Sequence, residues 1–228
     1  MQKRTYKNYA LEFLSIFIAV ISAFALNNWN DNRRDHHAEI KILTEIKNGL
    51  AKDIEDVRVN VSGHEMSIKA CNYFSRLLTA DSIAQDSFPQ YYFELTRDYV
   101  TVKNSSGYES LKSRGLNILN NDSLRYKIIS FYEYDLAVLE KFEEEYEEMQ
   151  YFKNYFPVIN EAIAPYLTFL PTGAVKVKLP LPISDKERNL LKSYLWRLHI
   201  NRRFILMAYK DVEQKITELV KEIEIEIK

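Results

Sequence analysis

The pattern of apolar and polar positions divides the chain into one continuous apolar run and several amphipathic segments. The run extends from Tyr9 to Leu26, reads YALEFLSIFIAVISAFAL and contains a single charged residue, Glu12. A helix of that length rises about 27 Å, close to the roughly 30 Å hydrocarbon core of a bilayer. We therefore predict a transmembrane anchor over residues 9–28, preceded by a tail of residues 1–8.

The residues on either side of the run are those expected at membrane interfaces. Lys3, Arg4 and Lys7 precede it without an acidic residue, and Trp29 follows it, where an aromatic ring suits the headgroup region. A short basic tail resists translocation, so we expect the N-terminus in the cytoplasm and residues 29–228 on the other side of the membrane.

Two other interpretations of the run stay open at this point. The segment Ala23-Phe24-Ala25 resembles the cleavage site of a signal peptide, and a buried helix of a soluble core can have a similar length. The anchor is favoured because the helical pattern continues past Trp29 without a turn signal.

Glu12 is the one ionisable residue inside the predicted span. Such a group is costly in a bilayer and is a functional candidate, for pairing with a neighbouring subunit or for carrying a proton. The alternative is structural: near the interface, its carboxylate reaches the water of the headgroup region.

Amphipathic spacing through the rest of the chain predicts long packed helices. Apolar residues recur every three or four positions between His36 and Leu78. A second helix is predicted from Asp122 to a limit at Pro157. A third begins at Ser184 with the capping box S-D-K-E and extends roughly 65 Å to the terminus. Its seam is the most regular in the chain and is predicted to be an interaction seam: Leu191, Leu195, Leu198, Ile205, Val212, Ile216, Leu219 and Ile223.

These segments predict a mainly α fold. We expect one N-terminal transmembrane helix plus an elongated, coiled-coil-like bundle of about three long helices, with short helices and loops at one end. Prolines interrupt the stretch before the third helix, where alternating apolar residues over 175–179 predict a short strand. The composition agrees, because 5 Gly, 6 Pro and 28% charged residues favour long helices over a turn-rich β fold.

Two stretches of the chain carry a family resemblance. In the first, an apolar helix led by Glu12 precedes a polar motif at Asn27, Asn28, Trp29, Asn30, Asp31, Asn32 and Arg33. The second, from Ser106 to Tyr132, contains Tyr108, Leu111, Lys112, Ser113, Gly115, Leu124, Arg125 and Ile128. Both resemble a family of uncharacterised single-pass membrane proteins common in Bacteroidota. The resemblance implies an anchor in the bacterial inner membrane and a periplasmic domain, and it implies no particular chemistry.

Charge and motif content exclude several classes of function. A net charge of −1 argues against nucleic-acid binding, and one cysteine, Cys71, excludes an internal disulfide and a multi-cysteine zinc site. Adjacent His36 and His37 diverge by about 100° on a helix, so they do not readily bind one ion. The acidic run over residues 140–148 reads as a solvated face that meets basic residues of the last helix, including Arg197 and Arg202. We expect no catalytic residue, cofactor or metal.

The sequence favours a structural or interaction protein: a membrane-anchored accessory or assembly subunit of a cell-envelope complex, without catalytic activity. Its expected partners are the lipid bilayer and a protein bound through the long helices, either a second copy or another subunit. The alternative is an extracytoplasmic ligand-binding or sensory module that acts through a membrane partner. A hydrolase is the least favoured hypothesis, because no nucleophile motif is readable.

Overall fold

One helix connects the apolar run to the bundle. The computed structural model describes residues 6–79 and 83–228, and its first helix, α1, spans Tyr6–Leu78 without a break. These 73 residues extend about 110 Å. Continuity follows from the sequence, which has no proline in this range. Glu39 is the first buried residue, so the helix stands clear of the bundle before that point.

Within the described residues the chain passes four times along the bundle axis. The first pass is α1, the second returns along it through α2 and α3, the third contains α4 to α6, and the fourth is α7. In chain order the elements after α1 are α2 Phe88–Leu95, α3 Ser106–Arg114, α4 Asp122–Ser130, α5 Leu136–Glu144, α6 Tyr151–Ile163, β1 Leu167–Phe169, β2 Val175–Val177 and α7 Asp185–Glu226. This mainly α architecture, with a long apolar N-terminal helix and a long-helix bundle, confirms the predicted fold class.

The first and fourth passes form an antiparallel pair along most of the bundle. Lys47 of α1 lies 3.7 Å from Glu224 near the end of α7. At the other end, Arg188 donates to the carbonyl of Leu78. The eight residues of the predicted interaction seam are all buried inside this pair and the third pass. The seam therefore supplies the core of the chain itself and leaves no apolar surface there for a partner.

The predicted helix from Asp122 to Pro157 is wrong in its continuity. It is divided into α4, a wide π-helical turn over Phe131–Asp135, α5 and α6, and Pro157 lies inside α6 rather than at its limit. Helix α6 can begin at Tyr151 because the backbone N–H of Tyr151 donates a hydrogen bond to the carboxylate of Asp98, distant in sequence, at 2.8 Å. Asn121, rather than Asp122, caps α4 and accepts from Leu124 N at 3.0 Å.

The short elements are spread along the bundle rather than gathered at one end. The hairpin of β1 and β2 lies at the end distant from the apolar run. It confirms the strand predicted over 175–179, although β2 ends at Val177. Gln85 fastens the hairpin at that end, accepting from Val177 N at 3.2 Å. The helices α2 and α3 lie against the side of α1, because polar residues of α1 bind the end of α2 and the segment that joins the two helices. The capping box at Ser184 and Glu187 is confirmed.

A glycine allows α3 to approach α1 at backbone distance. A Cβ atom added to Gly107 would stand 2.5 Å from the backbone nitrogen of Ile46 and 2.8 Å from the carbonyl carbon of Glu45. Helical backbone cannot yield as a flexible side chain can, so the position requires glycine. The close approach buries the neighbouring Tyr108, whose ring stacks on Tyr132 with centroids 4.5 Å apart.

Replacing Gly107 with Ala should therefore destabilise the bundle by about 1–3 kcal/mol, the usual cost of overpacking a close contact. Thermal or denaturant unfolding measures the loss. The matched control is Ser106→Ala at the exposed neighbouring position, where a change within about 0.5 kcal/mol is expected. Equal stability of the two variants would contradict a tight contact between α3 and α1.

Candidate functional site

The apolar part of α1 touches nothing else in the described chain. Its large apolar side chains from Leu11 to Leu26 are 48–72% exposed, on all sides of the helix, and none of the apolar window is buried. It is long and apolar enough to cross a membrane. A core helix of a soluble domain would be covered on at least one face, so the structure contradicts that interpretation within this chain.

Among the membrane-interface candidates, the structure describes the side chain of Trp29, at the end of this segment nearer the bundle. Trp29 is 62% exposed, and the guanidinium of Arg33 stands 6.0 Å from the centroid of its ring. Glu12 lies about 26 Å away along the helix axis, at 1.5 Å per residue. Lys3 and Arg4 lie outside the described residues, and Lys7 belongs to α1 but its side chain is not among those described.

A polar stretch of α1 separates Trp29 from the bundle. Asp31 accepts from Asn27 at 3.1 Å and pairs with Arg34 at 3.3 Å, so local contacts support the exposed helix. The stretch ends at Glu39, whose two carboxylate oxygens accept from the backbone and side-chain nitrogens of Asn120 at 2.7 and 2.8 Å. Glu39 therefore binds the return segment, and its Oε2 also lies 3.5 Å from Nδ1 of His36 in the preceding turn.

The centre of the bundle holds a fully buried arginine. Arg202 donates to the carbonyl of Arg97 at 2.6 Å and to that of Leu95 at 3.4 Å. Its guanidinium carbon lies 3.5 Å from the ring centroid of Tyr151, an intimate cation–π contact. No carboxylate among the described residues lies within ion-pair distance of Arg202, so carbonyl dipoles and aromatic faces stabilise its charge.

His64 of α1 completes this site, and its protonation state follows from the contact. Arg202 Nη1 lies 3.0 Å from His64 Nδ1, and a guanidinium can only donate, so Nδ1 accepts and the ring proton is on Nε2. The pKa of His64 lies well below its ordinary value because burial disfavours the charged ring, and the Arg202 cation lowers it further. We therefore describe His64 as a neutral acceptor at physiological pH.

A second buried network lies two turns further along α7. Tyr209 donates to the carboxylate of Glu143, which also accepts from the backbone and hydroxyl of Thr101 at 3.0 and 2.8 Å. Burial raises the pKa of Glu143, and the hydrogen bonds from Tyr209 and Thr101 oppose that shift. The network joins the second, third and fourth passes of the chain.

These buried groups connect the helices of the bundle to one another. Each network is enclosed by side chains, with Arg202, Tyr209 and His64 at 1% exposure or less. The nearby Cys71 is equally closed off, and burial raises the pKa of its thiol to about 12, so it is a poor nucleophile. The described residues contain no cluster of histidine, cysteine or carboxylate side chains that could hold a metal ion.

The sequence analysis missed both networks. It placed Arg202 on a basic surface and Glu143 on a solvated acidic face, and both predictions are wrong because the two residues are buried. A signal was present for Arg202, which stands four residues after Leu198 and three before Ile205, at a seam position. One expected contact between the acidic and basic faces does form, from Arg197 to Glu148 at 3.1 Å.

An open aromatic groove of about 490 Å³ lies on the surface between α2 and α6. Phe93 and Phe152 are 61% and 55% exposed there, and Phe152 stacks on Phe156 with centroids 4.7 Å apart. The guanidinium of Arg97 covers the ring of Phe93 at 5.0 Å. The groove can accept an apolar or aromatic group, and Arg97 is the cation beside it.

Removing the buried guanidinium should strongly destabilise the bundle. Arg202→Met leaves two buried carbonyls and His64 without their donor, at an expected cost of about 3 kcal/mol of unfolding free energy. The adjacent Arg203 is exposed, so Arg203→Met is the matched control and should stay within about 0.5 kcal/mol of the wild type. Denaturant unfolding compares the two, and similar stabilities would refute the structural role of Arg202.

Burial of neutral His64 predicts a loss of stability in mild acid. The unfolded chain binds a proton at His64 below a pH of about 6.5, whereas the folded chain does so only at the lower pKa of the native state. Unfolding free energy should therefore fall as pH decreases from about 6.5 towards that lower pKa, by up to about 1.4 kcal/mol per pH unit.

The variant His64→Gln isolates this effect, because the glutamine carbonyl can still accept from Arg202. Between pH 7.5 and 5.5 we expect the wild type to lose about 1 kcal/mol relative to this variant, measured by denaturant unfolding at each pH. The comparison with His64→Gln is needed because other groups also make stability depend on pH. Burial raises the pKa values of Asp53, Asp98 and Glu143, and these carboxyl groups favour the folded state as the pH falls. The control is His199→Gln at the partly exposed histidine of α7; parallel pH profiles for all three proteins would overturn the assignment.

No protein-family model matches the chain, and neither the curated proteins nor the solved structures include a significant match.

Proposed function

We propose that this chain is a membrane-anchored helical interaction protein, an accessory or assembly subunit of a cell-envelope complex. In this proposal the anchor lies in the bacterial inner membrane, the N-terminus is cytoplasmic, and residues 29–228 are periplasmic. The observation that carries it is α1 itself: one unbroken helix whose first part is apolar and uncovered, and whose later part is core of the bundle.

An unbroken helix is suited to hold a domain at a set distance from the bilayer. About 20 Å of helix separates Leu26 from Glu39, the first residue buried in the bundle. Because no flexible linker lies between them, movement of the anchor is transmitted to the bundle. The resemblance to the Bacteroidota family, with Glu12 near the start of the span and Trp29 after it, favours the same topology.

The buried polar residues support an interaction role rather than catalysis. The ionisable groups with the largest shifts in pKa are enclosed in the bundle and bound to its own backbone and side chains. The net charge of −1 gives no support for nucleic acid as a partner. The lipid bilayer and another protein chain are therefore the partners in this proposal.

The aromatic groove between α2 and α6 favours a second candidate, a periplasmic ligand-binding module that acts through a membrane partner. Its exposed Phe93 and Phe152 resemble the apolar lining of small-molecule sites. This function would require thermal stabilisation by an apolar or aromatic compound. The interaction role requires no ligand.

Two charges placed in the span should release the protein from membranes. Ile18→Arg with Ile21→Arg puts two arginines on one face near the bilayer centre, at a cost of about 3 kcal/mol each on insertion scales. Neither side chain contacts the bundle, so unfolding of the domain should be unchanged. Membrane flotation measures the fraction of protein bound.

The matched control is Val59→Arg, which introduces a charge at an exposed valine in the bundle part of α1. This variant should stay bound to membranes like the wild type. The anchor would be refuted by a wild-type chain that is soluble after cell disruption. It would also be refuted if the double variant floated with membranes as completely as Val59→Arg.

A further inference from the structure

The outer face of α7 carries a second apolar stripe that the bundle does not cover. Its members are Trp196, Ile200, Phe204 and Met207, with 63%, 43%, 43% and 65% of their surface exposed. At about 100° per residue they fall within roughly 80° of the helix circumference, opposite the buried seam. We call this set the outer α7 stripe.

Aromatic residues of the third pass extend the stripe sideways. Phe142 of α5 packs against Phe204 with ring centroids 5.1 Å apart, and Tyr146 packs on Phe142 at the same distance. Tyr146 is 46% exposed. With four half-exposed large side chains the stripe presents on the order of 400 Å² of apolar surface, the size of patch that marks interaction sites on monomers.

The two sides of the stripe carry opposite charge. On the side of the third pass lie Glu145, which is exposed, and Glu148, which pairs with Arg197. On the side of α1 lie Lys192 and Arg203, both exposed, at the margin of α7 from which Lys210 reaches Glu65 of α1. Over the described parts of the chain, Glu145, Lys192 and Arg203 take part in no ion pair.

Two of these unpaired charges, Glu145 and Arg203, also lie at one level of the bundle. Phe142 packs beside Phe204, and Glu148 pairs with Arg197, so the intervening Glu145 stands level with the stretch of α7 between those two residues. Arg203 lies in that stretch on the opposite side of the stripe. When two copies of this surface face each other, Glu145 of each copy can therefore pair with Arg203 of the other.

We propose that the outer α7 stripe binds the same stripe of a second copy of this chain, in a parallel pair whose two-fold axis runs along α7. Rotation about that axis places the acidic side of each copy against the basic side of the other. Glu145 of one copy then faces Arg203 of its partner, and Trp196, Ile200 and Met207 each meet their own equivalents.

The antiparallel alternative is disfavoured on two independent grounds. A two-fold axis across α7 would set Arg203 against the basic side of the partner and Glu145 against its acidic side, where like charges repel. It would also direct the two apolar segments of α1 to opposite ends of the dimer. The parallel pair directs both to one end, as two chains in one bilayer require; this second argument rests on the proposed function.

Single cysteines in the full-length chain in membranes test the pairing. Trp196→Cys, Ile200→Cys and Met207→Cys are made separately and treated with a short thiol-to-thiol crosslinker. The buried Cys71 does not compete, because it is enclosed in the core. A parallel pair should give crosslinked dimer at all three positions, in at least tenfold greater yield than Val59→Cys or Val102→Cys, which are exposed elsewhere.

The charge match is tested in the Ile200→Cys background. Arg203→Glu alone and Glu145→Arg alone should each lower the dimer yield several-fold, and the two changes together should restore it. A yield that neither single change lowers, or that the double change fails to restore, would overturn the proposed parallel arrangement. So would crosslinking at one of the three stripe positions alone, which indicates an antiparallel crossing.

The same samples separate failure of the pair from failure of the anchor. A membrane-bound chain without crosslinks at any stripe position would refute the parallel pair and leave the anchor standing. A chain found in the soluble fraction would refute the anchor, while crosslinking at all three positions in that fraction would still support the pair. Unfolding curves of each variant confirm that the bundle is intact.

Discussion

The four passes of the chain meet at the buried guanidinium of Arg202. Arginine cannot discard its charge by losing a proton at physiological pH, so its guanidinium needs acceptors and aromatic faces inside the bundle. The carbonyls of Leu95 and Arg97 come from the second pass, His64 from the first and Tyr151 from the third. Within the described residues Nη1 and Nη2 have acceptors and Nε has none, so a bundle lacking one pass would leave still more of this charge unpaired. Arg202 thus makes correct assembly of all four passes a condition of stability.

Hydrogen bonds hold the second pass where apolar burial alone is small. The stretch between α2 and α3 is extended, and polar residues of α1 bind it at intervals. Asp53 accepts from both the backbone and side-chain nitrogens of Asn104, at 2.8 and 2.6 Å, and Asn60 donates to the carbonyl of Val100 at 3.2 Å. Buried polar groups of this kind specify register, because a shift by one residue would leave each of them without a partner.

How much of the fold is predictable depends on whether the determining contact is local. The seam of α7 and the box at Ser184 act within a few residues, and both are readable from spacing. The start of α6 is not, because its capping carboxylate, Asp98, lies 53 residues earlier in the chain. Glu143 was mistaken for a surface residue for the same reason, since its donor Tyr209 is 66 residues away. Within the candidate site, the exposed apolar span was predictable from composition. The buried network around Arg202 left one sign in the sequence, a basic residue at a seam position of α7.

The unbroken course of α1 fixes an angular relation as well as a distance. Each residue of helix between Trp29 and Glu39 contributes about 100° of rotation and 1.5 Å of rise, so the number of residues there sets the azimuth of the bundle about the span. The direction in which Glu12 projects from the apolar run and the direction that the outer α7 stripe faces are therefore fixed relative to each other. A change of one residue in this stretch would turn the bundle by more than a quarter of a circle while hardly altering its height. The number of residues between Trp29 and Glu39 therefore affects the direction in which the bundle faces far more than its distance from the apolar run.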